Sequence, residues 1–134
     1  MLNGVEVTSL LPKHDQRGWL VEVLKTGDRA PVPPGQIYVT AALPGITKGQ
    51  HYHTRKIEWF CVLQGQGRLV LEEVSSGQRD TIDMTQEKMV TVKIPPGVGH
   101  MITNTGRELL LLLVYVNEVF NVNEPDTFPW LNPS

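Results

Sequence analysis

Three of the chain's four histidines, His51, His53 and His100, fall in two short stretches, GITKGQHYHTRKIEWFCVLQG at 45–65 and IPPGVGHMITN at 94–104. Histidine is the commonest metal ligand and proton carrier at neutral pH, so this grouping marks where chemistry would occur. His51 and His53 are two residues apart; in a strand such residues share a face, roughly 6–7 Å apart along the backbone, and can converge on one point. Thr54-Arg55-Lys56 is polar enough to turn the chain. The run at 57–63 then reads as a strand that returns beside the first and carries Glu58 back toward the imidazoles. In the second stretch Pro95-Pro96-Gly97 is a strong turn signal, because proline presets φ and glycine takes the positive φ that follows; His100 is thereby presented at the start of a new strand. Three imidazoles and a carboxylate form a ligand set that suits Fe, Mn, Ni, Zn or Cu, and two histidines plus a carboxylate facing open positions is typical of non-haem iron.

The elements that must position these groups are short strands. Alternation and turn residues predict strands at 5–11, 19–25, 36–43, 57–63, 68–74, 89–94 and 109–116, with shorter pieces around His51 and Met101. No ten-residue segment has helical periodicity. With 12 glycines and 10 prolines between the runs, an all-β sandwich or small barrel is the expected closure. The run LLLLLVYV at 109–116 is too short to span a membrane and reads as a central strand, one face in the core and the other under a subunit partner.

A chain of 134 residues is the size of one domain and can bury a real core. Its formal charge of −2 provides no basic field for nucleic acid or an anionic membrane, which directs attention to small-molecule work. The single cysteine, Cys61, sits beside Trp59 and Phe60 and reads as a buried small hydrophobe rather than a reactive thiol. The opening MLNGVEVTSLLPKHD lacks a basic n-region and a sustained apolar h-region, so a cytoplasmic protein is expected.

The spacing of Gly45, His51, His53, Glu58 and Gly65 resembles the first cupin motif at every marked position, and Pro95, Gly97, His100 and Asn104 resemble the second, whose leading glycine is replaced by Met89. The resemblance implies a single cupin domain over 1–134, an RmlC-like double-stranded β-helix or jelly-roll barrel, with a metal on His51, His53, Glu58 and His100. DQRGWLVEV at 15–23 is similar to the opening of sugar-nucleotide 3,5-epimerases of the dTDP-4-dehydrorhamnose type. That likeness implies substrate binding by Arg17, with Glu22 nearby; arginine suits a diphosphate because its planar fork pairs bidentately with phosphate. TKGQHYH resembles the same family's R-G-x-H-Y segment, which puts His51 at the position of its catalytic base and Lys48 near a substrate-binding arginine. HYHTRKIEWF and the ending VNEVFNVNEPDTFPW resemble the C-terminal zinc cupin domain of bifunctional capsular-polysaccharide epimerase/reductases. No reductase sequence lies in this stretch, so a reduction step would be carried by a separate protein.

The implied activity is epimerisation or isomerisation of a nucleotide-linked 4-keto-6-deoxy sugar, in polysaccharide or glycoside biosynthesis. Such a reaction needs a base for the α-proton, stabilisation of the enolate and an acid on the opposite face, with no organic cofactor. A divalent metal, Zn favoured with Fe, Mn or Ni as alternatives, would polarise the keto oxygen. An imidazole bonded to a cation cannot also take a proton, so His51 is the base only in a metal-free site. Otherwise the proton carriers are Lys48, Tyr38, Tyr115, a metal-bound water or, last among them, Tyr52, which alternates with the ligand histidines and should face the other way. His14 reads as a solvated loop residue near Arg17, Trp19, Trp59 and Trp130 as core or interface, and Asn104 as closing a turn. A homodimer is expected, with the N-terminal strand at about 1–25 and the tail at about 120–134 at its interface. The competing functions are an iron-dependent dioxygenase and a non-catalytic metal- or sugar-binding cupin.

Overall fold

The computed structural model describes residues 1–25 and 35–130. Twelve strands and no helix occur among the described residues: β1 Glu6–Ser9, β2 Lys13–Asp15, β3 Gly18–Leu20, β4 Gln36–Ala42, β5 Thr47–Tyr52, β6 Glu58–Gln64, β7 Gln66–Glu73, β8 Arg79–Thr85, β9 Val90–Ile94, β10 Val98–Asn104, β11 Leu110–Val116 and β12 Phe128–Pro129. They form one antiparallel sheet in the order β1-β9-β6-β11-β4, a second in the order β12-β5-β10-β7-β8, and a separate β2-β3 hairpin. The expected all-β jelly roll is what forms.

Period-two alternation decides what each strand buries. In β7, Gly67, Leu69 and Leu71 are buried while Gln66 and Arg68 are exposed; in β10, His100, Ile102 and Asn104 are buried between the less buried Met101 and Thr103. These inward rows meet Phe60 and Val62 of β6, Val92 and Ile94 of β9, and Leu110, Leu112 and Val114 of β11 in one core between the sheets. Each such side chain is worth about 1.5–3 kcal/mol when fully buried, so the sandwich closes around this row.

Four expectations need correction. The strand after the histidine pair does not return beside it: β5 and β6 lie in opposite sheets, and the turn at 54–57 crosses between them. Of the strand expected at 19–25, only Gly18–Leu20 pairs, with Lys13–Asp15. Val21, Val23 and Leu24 instead pack over the outer face of β6 and β11, against Cys61, Leu113, Trp59 and Tyr115. The chain's own N-terminal segment thus packs on the outer face of the leucine-rich strand, where a subunit partner was expected. A strand at 79–85 was not expected, because RDTIDMT offers only Ile82 and Met84 as apolar positions; pairing along the whole of β7 makes it an edge strand. The last residues of the expected interface tail, 131–134, lie outside the described residues.

Candidate metal and substrate site

His51 comes from β5, His53 from the residue just past it, Glu58 from the first position of β6 and His100 from β10. Their ligand atoms all lie within 4.8 Å of one another. His51 and His100 are direct register partners, and the β5–β10 ladder shifts by a bulge immediately after His100. Gly49 makes that bulge possible: its φ is +103°, and a Cβ there would stand 2.8 Å from the His100 carbonyl oxygen. The ring centroids of His51 lie 5.1 Å from His53 and 4.8 Å from His100, the latter edge-on. Phe60 closes the cluster from the core side, its ring edge-on to His100 at 5.6 Å.

The hydrogen bonds orient each ring. His53 Nδ1–H donates to the Asp126 carbonyl at 2.6 Å, which turns Nε2 toward Glu58 Oε1 at 2.5 Å. His100 Nδ1–H donates to the Val98 carbonyl at 3.1 Å. Its Nε2 is 3.2 Å from Glu58 Oε1 but is not aligned to hydrogen-bond there, and it is a buried polar atom without a partner. A buried nitrogen lone pair of this kind needs a ligand. Two imidazoles held on carbonyls through Nδ1, with their Nε2 atoms 2.5 and 3.2 Å from one carboxylate oxygen, fit a divalent cation.

Electrostatics follow from this packing. Burial pushes His51 down to about 4, helped by His100 and His53, so its ring is neutral at pH 7. Burial would raise the Glu58 carboxyl, but the His100 and His53 rings outweigh it and hold Glu58 well below the usual carboxylate range. Burial opposes protonation of His53, yet the Glu58 carboxylate prevails and raises it.

The cluster opens on one side into a cavity of about 180 Å³ lined by Tyr38, Thr40, Lys48 and the apolar Ile102, Leu112 and Val114. On the other side lies a cavity of about 300 Å³ with Gln36, Lys56, Glu118, Phe120 and Thr127 on its wall. Both contain Tyr38, His51 and Glu58, so they are halves of one cleft. Lys48 Nζ donates to Thr40 Oγ1 at 2.8 Å. Tyr38 is 40% exposed at the mouth of the cleft; desolvation of its hydroxyl end, reinforced by the Glu58 charge, pushes that hydroxyl from an ordinary 10 up to about 12, which makes it a weaker acid.

Other nominated residues lie elsewhere. Arg17 pairs with Asp15 at 2.6 Å on the hairpin, and with His14, Trp19 and Glu22 it lines a separate cleft of about 570 Å³. Glu22 pairs with Lys25 at 2.8 Å. Among the described residues, neither Arg17 nor Glu22 lines either of the two cavities at the cluster. Tyr115 is corrected as a proton carrier: its neighbours Val114 and Val116 face the cleft, so alternation turns Tyr115 to the outer face, edge-on to Trp59 at 4.9 Å. Tyr52 stacks on Phe128 at 5.5 Å. Asn104 closes its turn by donating to the Ala42 and Glu108 carbonyls, both at 2.8 Å, and accepting from the Gly106 amide. Cys61 is buried and its thiol is pushed up to about 11 by that burial, as suits a core residue.

A family model described as "Polysaccharide biosynthesis C-terminal domain" matches residues 13–128. The chain belongs to that family. This polysaccharide biosynthesis C-terminal domain is 39% identical, over 88% of its length, to a UDP-2-acetamido-2,6-beta-L-arabino-hexul-4-ose reductase of Pseudomonas aeruginosa, of which it covers 31%. The capsular polysaccharide assembling protein CapF of Staphylococcus aureus superposes on 89% of it with 36% identity and a TM-score of 0.69, and 33% of that protein is covered. The domain therefore spans about a third of the length of these relatives. A dTDP sugar isomerase from Desulfovibrio desulfuricans G20 matches 95% of the domain and 83% of its own chain with a TM-score of 0.87; at 19% identity the two share the fold.

Two residues of the domain's site were not read from its sequence. Lys56 is only 5% exposed, with its Nζ donating to the Pro125 carbonyl at 2.9 Å and lying 5.4 Å over the Phe120 ring. Asp126 is buried beneath the 54–56 turn. The polar run Thr54-Arg55-Lys56 marked a turn but carried no sign that an acid 70 residues downstream from Lys56 would fill it.

Proposed function

We propose that this chain is a metal-binding cupin that epimerises or isomerises a nucleotide-linked 4-keto-6-deoxy sugar through an enolate, in polysaccharide or glycoside biosynthesis. The observation that carries the proposal is the convergence of His51, His53, Glu58 and His100 at the floor of a cleft whose wall bears Lys48 and Tyr38. The likeness to sugar-nucleotide proteins of polysaccharide assembly supplies the substrate class.

His51, His53, Glu58 and His100 would hold the metal, with Zn favoured and Fe, Mn or Ni as alternatives. A divalent cation there supplies Lewis acidity toward a keto oxygen. The remaining work falls to side chains. Lys48, held by Thr40, offers an ammonium beside the cluster that can bind a developing oxyanion and return a proton. Tyr38, protonated at neutral pH and a weak acid, serves by donating a hydrogen bond to the developing oxyanion rather than as a base. The apolar wall of Ile102, Leu112 and Val114 excludes water from a reactive enolate.

Arg17 as the diphosphate contact, with Glu22 nearby as a further substrate-binding residue, completes the proposal. Because they line a different cleft of the same chain, that role requires the hairpin of a second copy, and we include a homodimer in the proposal. A reduction of the product falls to a separate protein or domain.

The test is incubation with UDP- and dTDP-linked 4-keto-6-deoxyhexoses in D2O, following deuterium at C3 and C5 by NMR with and without a chelator. Exchange that stops on chelation and returns with added Zn supports the proposal. Exchange that survives complete metal removal moves the base role to His51. Absence of exchange with every sugar sinks the epimerase assignment and favours the dioxygenase or binding-module alternatives.

A further inference from the structure

The segment after β11 folds back across the turn that joins two of the cluster's residues. Asn117 exchanges hydrogen bonds with Ile57, Arg55 pairs with Glu118 at 3.0 Å, and Phe128 and Pro129 add a short strand beside Tyr52 and His51. Trp130 pins the far end: its Nε1 donates to Glu72 Oε2 at 2.7 Å, and its ring fills the space beside Gly99, where a Cβ would meet it at 2.8 Å. In the middle of this strap sits Asp126, 4% exposed and in the left-handed region at φ +50°.

Asp126 makes two sets of contacts at once. Its carboxylate accepts from the amides of Thr54, Arg55 and Lys56, each at 3.0 Å, and from the Thr54 hydroxyl. Those three residues are most of the link between His53 and Glu58. Its main-chain carbonyl accepts from His53 Nδ1–H at 2.6 Å. The left-handed backbone at Asp126 goes with both groups serving the same turn, an arrangement Asp tolerates better than most residues.

We propose that Asp126 is the positioning residue of the site. Its carboxylate fixes the path from His53 to Glu58, and its carbonyl fixes the His53 tautomer, leaving Nε2 for whatever the cluster binds. A carbonyl can only accept, so the proton on that ring is held at Nδ1. Outer partners of this kind fix ring orientation and are worth 10–100-fold in metal affinity. The affinity part rests on the metal reading of the cluster; the tautomer part does not.

The test uses the full chain, stripped of metal, with ¹⁵N-labelled histidine. In the wild type at alkaline pH, where the ring is neutral, NMR should show His53 Nδ1 protonated in a single tautomer. Asp126→Ala keeps the main-chain carbonyl but loses the carboxylate that holds it against the 54–56 turn, so the His53 ring should exchange between two tautomers and Zn(II) binding, measured by competition with a chromophoric chelator, should weaken about 10–100-fold. The visible band of the Co(II)-loaded protein should shift with it. Asp126→Asn, which keeps one acceptor oxygen, should recover most of both. Asp126→Gly, which keeps the backbone conformation available but lacks the carboxylate, should resemble Asp126→Ala. An unchanged His53 signal together with unchanged Zn(II) affinity in Asp126→Ala overturns the proposal and leaves Asp126 a latch for the strap alone. Should Asp126→Ala fail to fold, Thr54→Val, which deletes the hydroxyl donor to the carboxylate, carries the test: weaker Zn(II) binding at a preserved unfolding midpoint supports the proposal, and unchanged binding with an unchanged His53 signal overturns it. If the wild type binds neither Zn(II) nor Co(II), the metal reading falls, while the tautomer comparison still decides the role of Asp126.

Discussion

His51 and Glu58 place their ligand atoms within 4.8 Å of each other although their strands, β5 and β6, belong to opposite sheets. The cluster therefore spans the sandwich, and its geometry depends on how the two sheets close. Glu58 is buried with two rings on one oxygen, His53 Nε2 at 2.5 Å and His100 Nε2 at 3.2 Å.

Replacing Glu58 by Gln keeps the shape and removes the charge that draws these nitrogens together. If the Lewis-acid contribution is about 4 kcal/mol, its loss lowers enolisation by roughly 10³. The expected outcome for E58Q is deuterium exchange reduced on that scale with metal content below the wild type, measured by NMR and by elemental analysis of the dialysed protein. Full activity with full metal content would remove Glu58 from the ligand set.

The metal-free protein should be most stable near pH 6.5. His51 is depressed to about 4 from an ordinary 6.5, so between those values the unfolded chain binds the extra proton and stability rises with pH. Glu58, depressed from 4.5, adds to the same rise at the acidic end: its contribution is present above 4.5 and lost as pH falls through its folded value. His53 is raised above 6.5, so its contribution is full below 6.5 and is lost as pH climbs through the raised value. Thermal unfolding of chelator-treated protein from pH 4 to 9 should trace this dome. Added Zn(II) should lift the alkaline side most, because ligand imidazoles must lose their protons to bind. A flat profile would mean that the three rings and the carboxylate do not interact as described.

The ligand residues were legible because their types and spacing are local: His51 and His53 share a segment, and Pro95-Pro96-Gly97 announces the strand that carries His100. What could not be read was the sheet to which each strand goes. The 54–57 turn looks the same whether β6 pairs with β5 or crosses the sandwich, and only the shared core of Phe60, Val62, Leu69 and Leu71 decides for crossing. The outward side of Tyr115 was hidden for a related reason: in a strand apolar on both faces, alternation gives two classes without saying which is inside. Asp126 was illegible because its partners lie about seventy positions upstream.

Lys48 and Tyr115 should therefore separate cleanly. Lys48→Met removes the ammonium that Thr40 holds at the cleft while leaving the four ligands intact. The expected loss is 10²–10³ in the exchange rate, on the scale of general acid–base catalysis, with metal content unchanged. Tyr115→Phe, on the outer face beside Trp59, should keep the rate within about twofold and cost on the order of 1 kcal/mol in urea unfolding at most. A large rate loss in Tyr115→Phe would require the β11 register to be wrong.

Arg17 offers a test that combines assembly with function. Its hairpin and the cluster line different clefts of one chain, so a substrate role places Arg17 over the cluster of a second copy. Arg17→Ala and His51→Asn chains should each be weakly active alone. Mixed after reversible dissociation, half the dimers are hybrids, and each hybrid has one site with a native cluster and a native hairpin. Activity should then return to roughly a quarter of the wild type, as expected for two-fold exchange of hairpins. Light scattering on the same samples should give twice the chain mass. No recovery from fully exchanged dimers would remove Arg17 from the substrate site, and a monomer by scattering would remove the shared hairpin altogether.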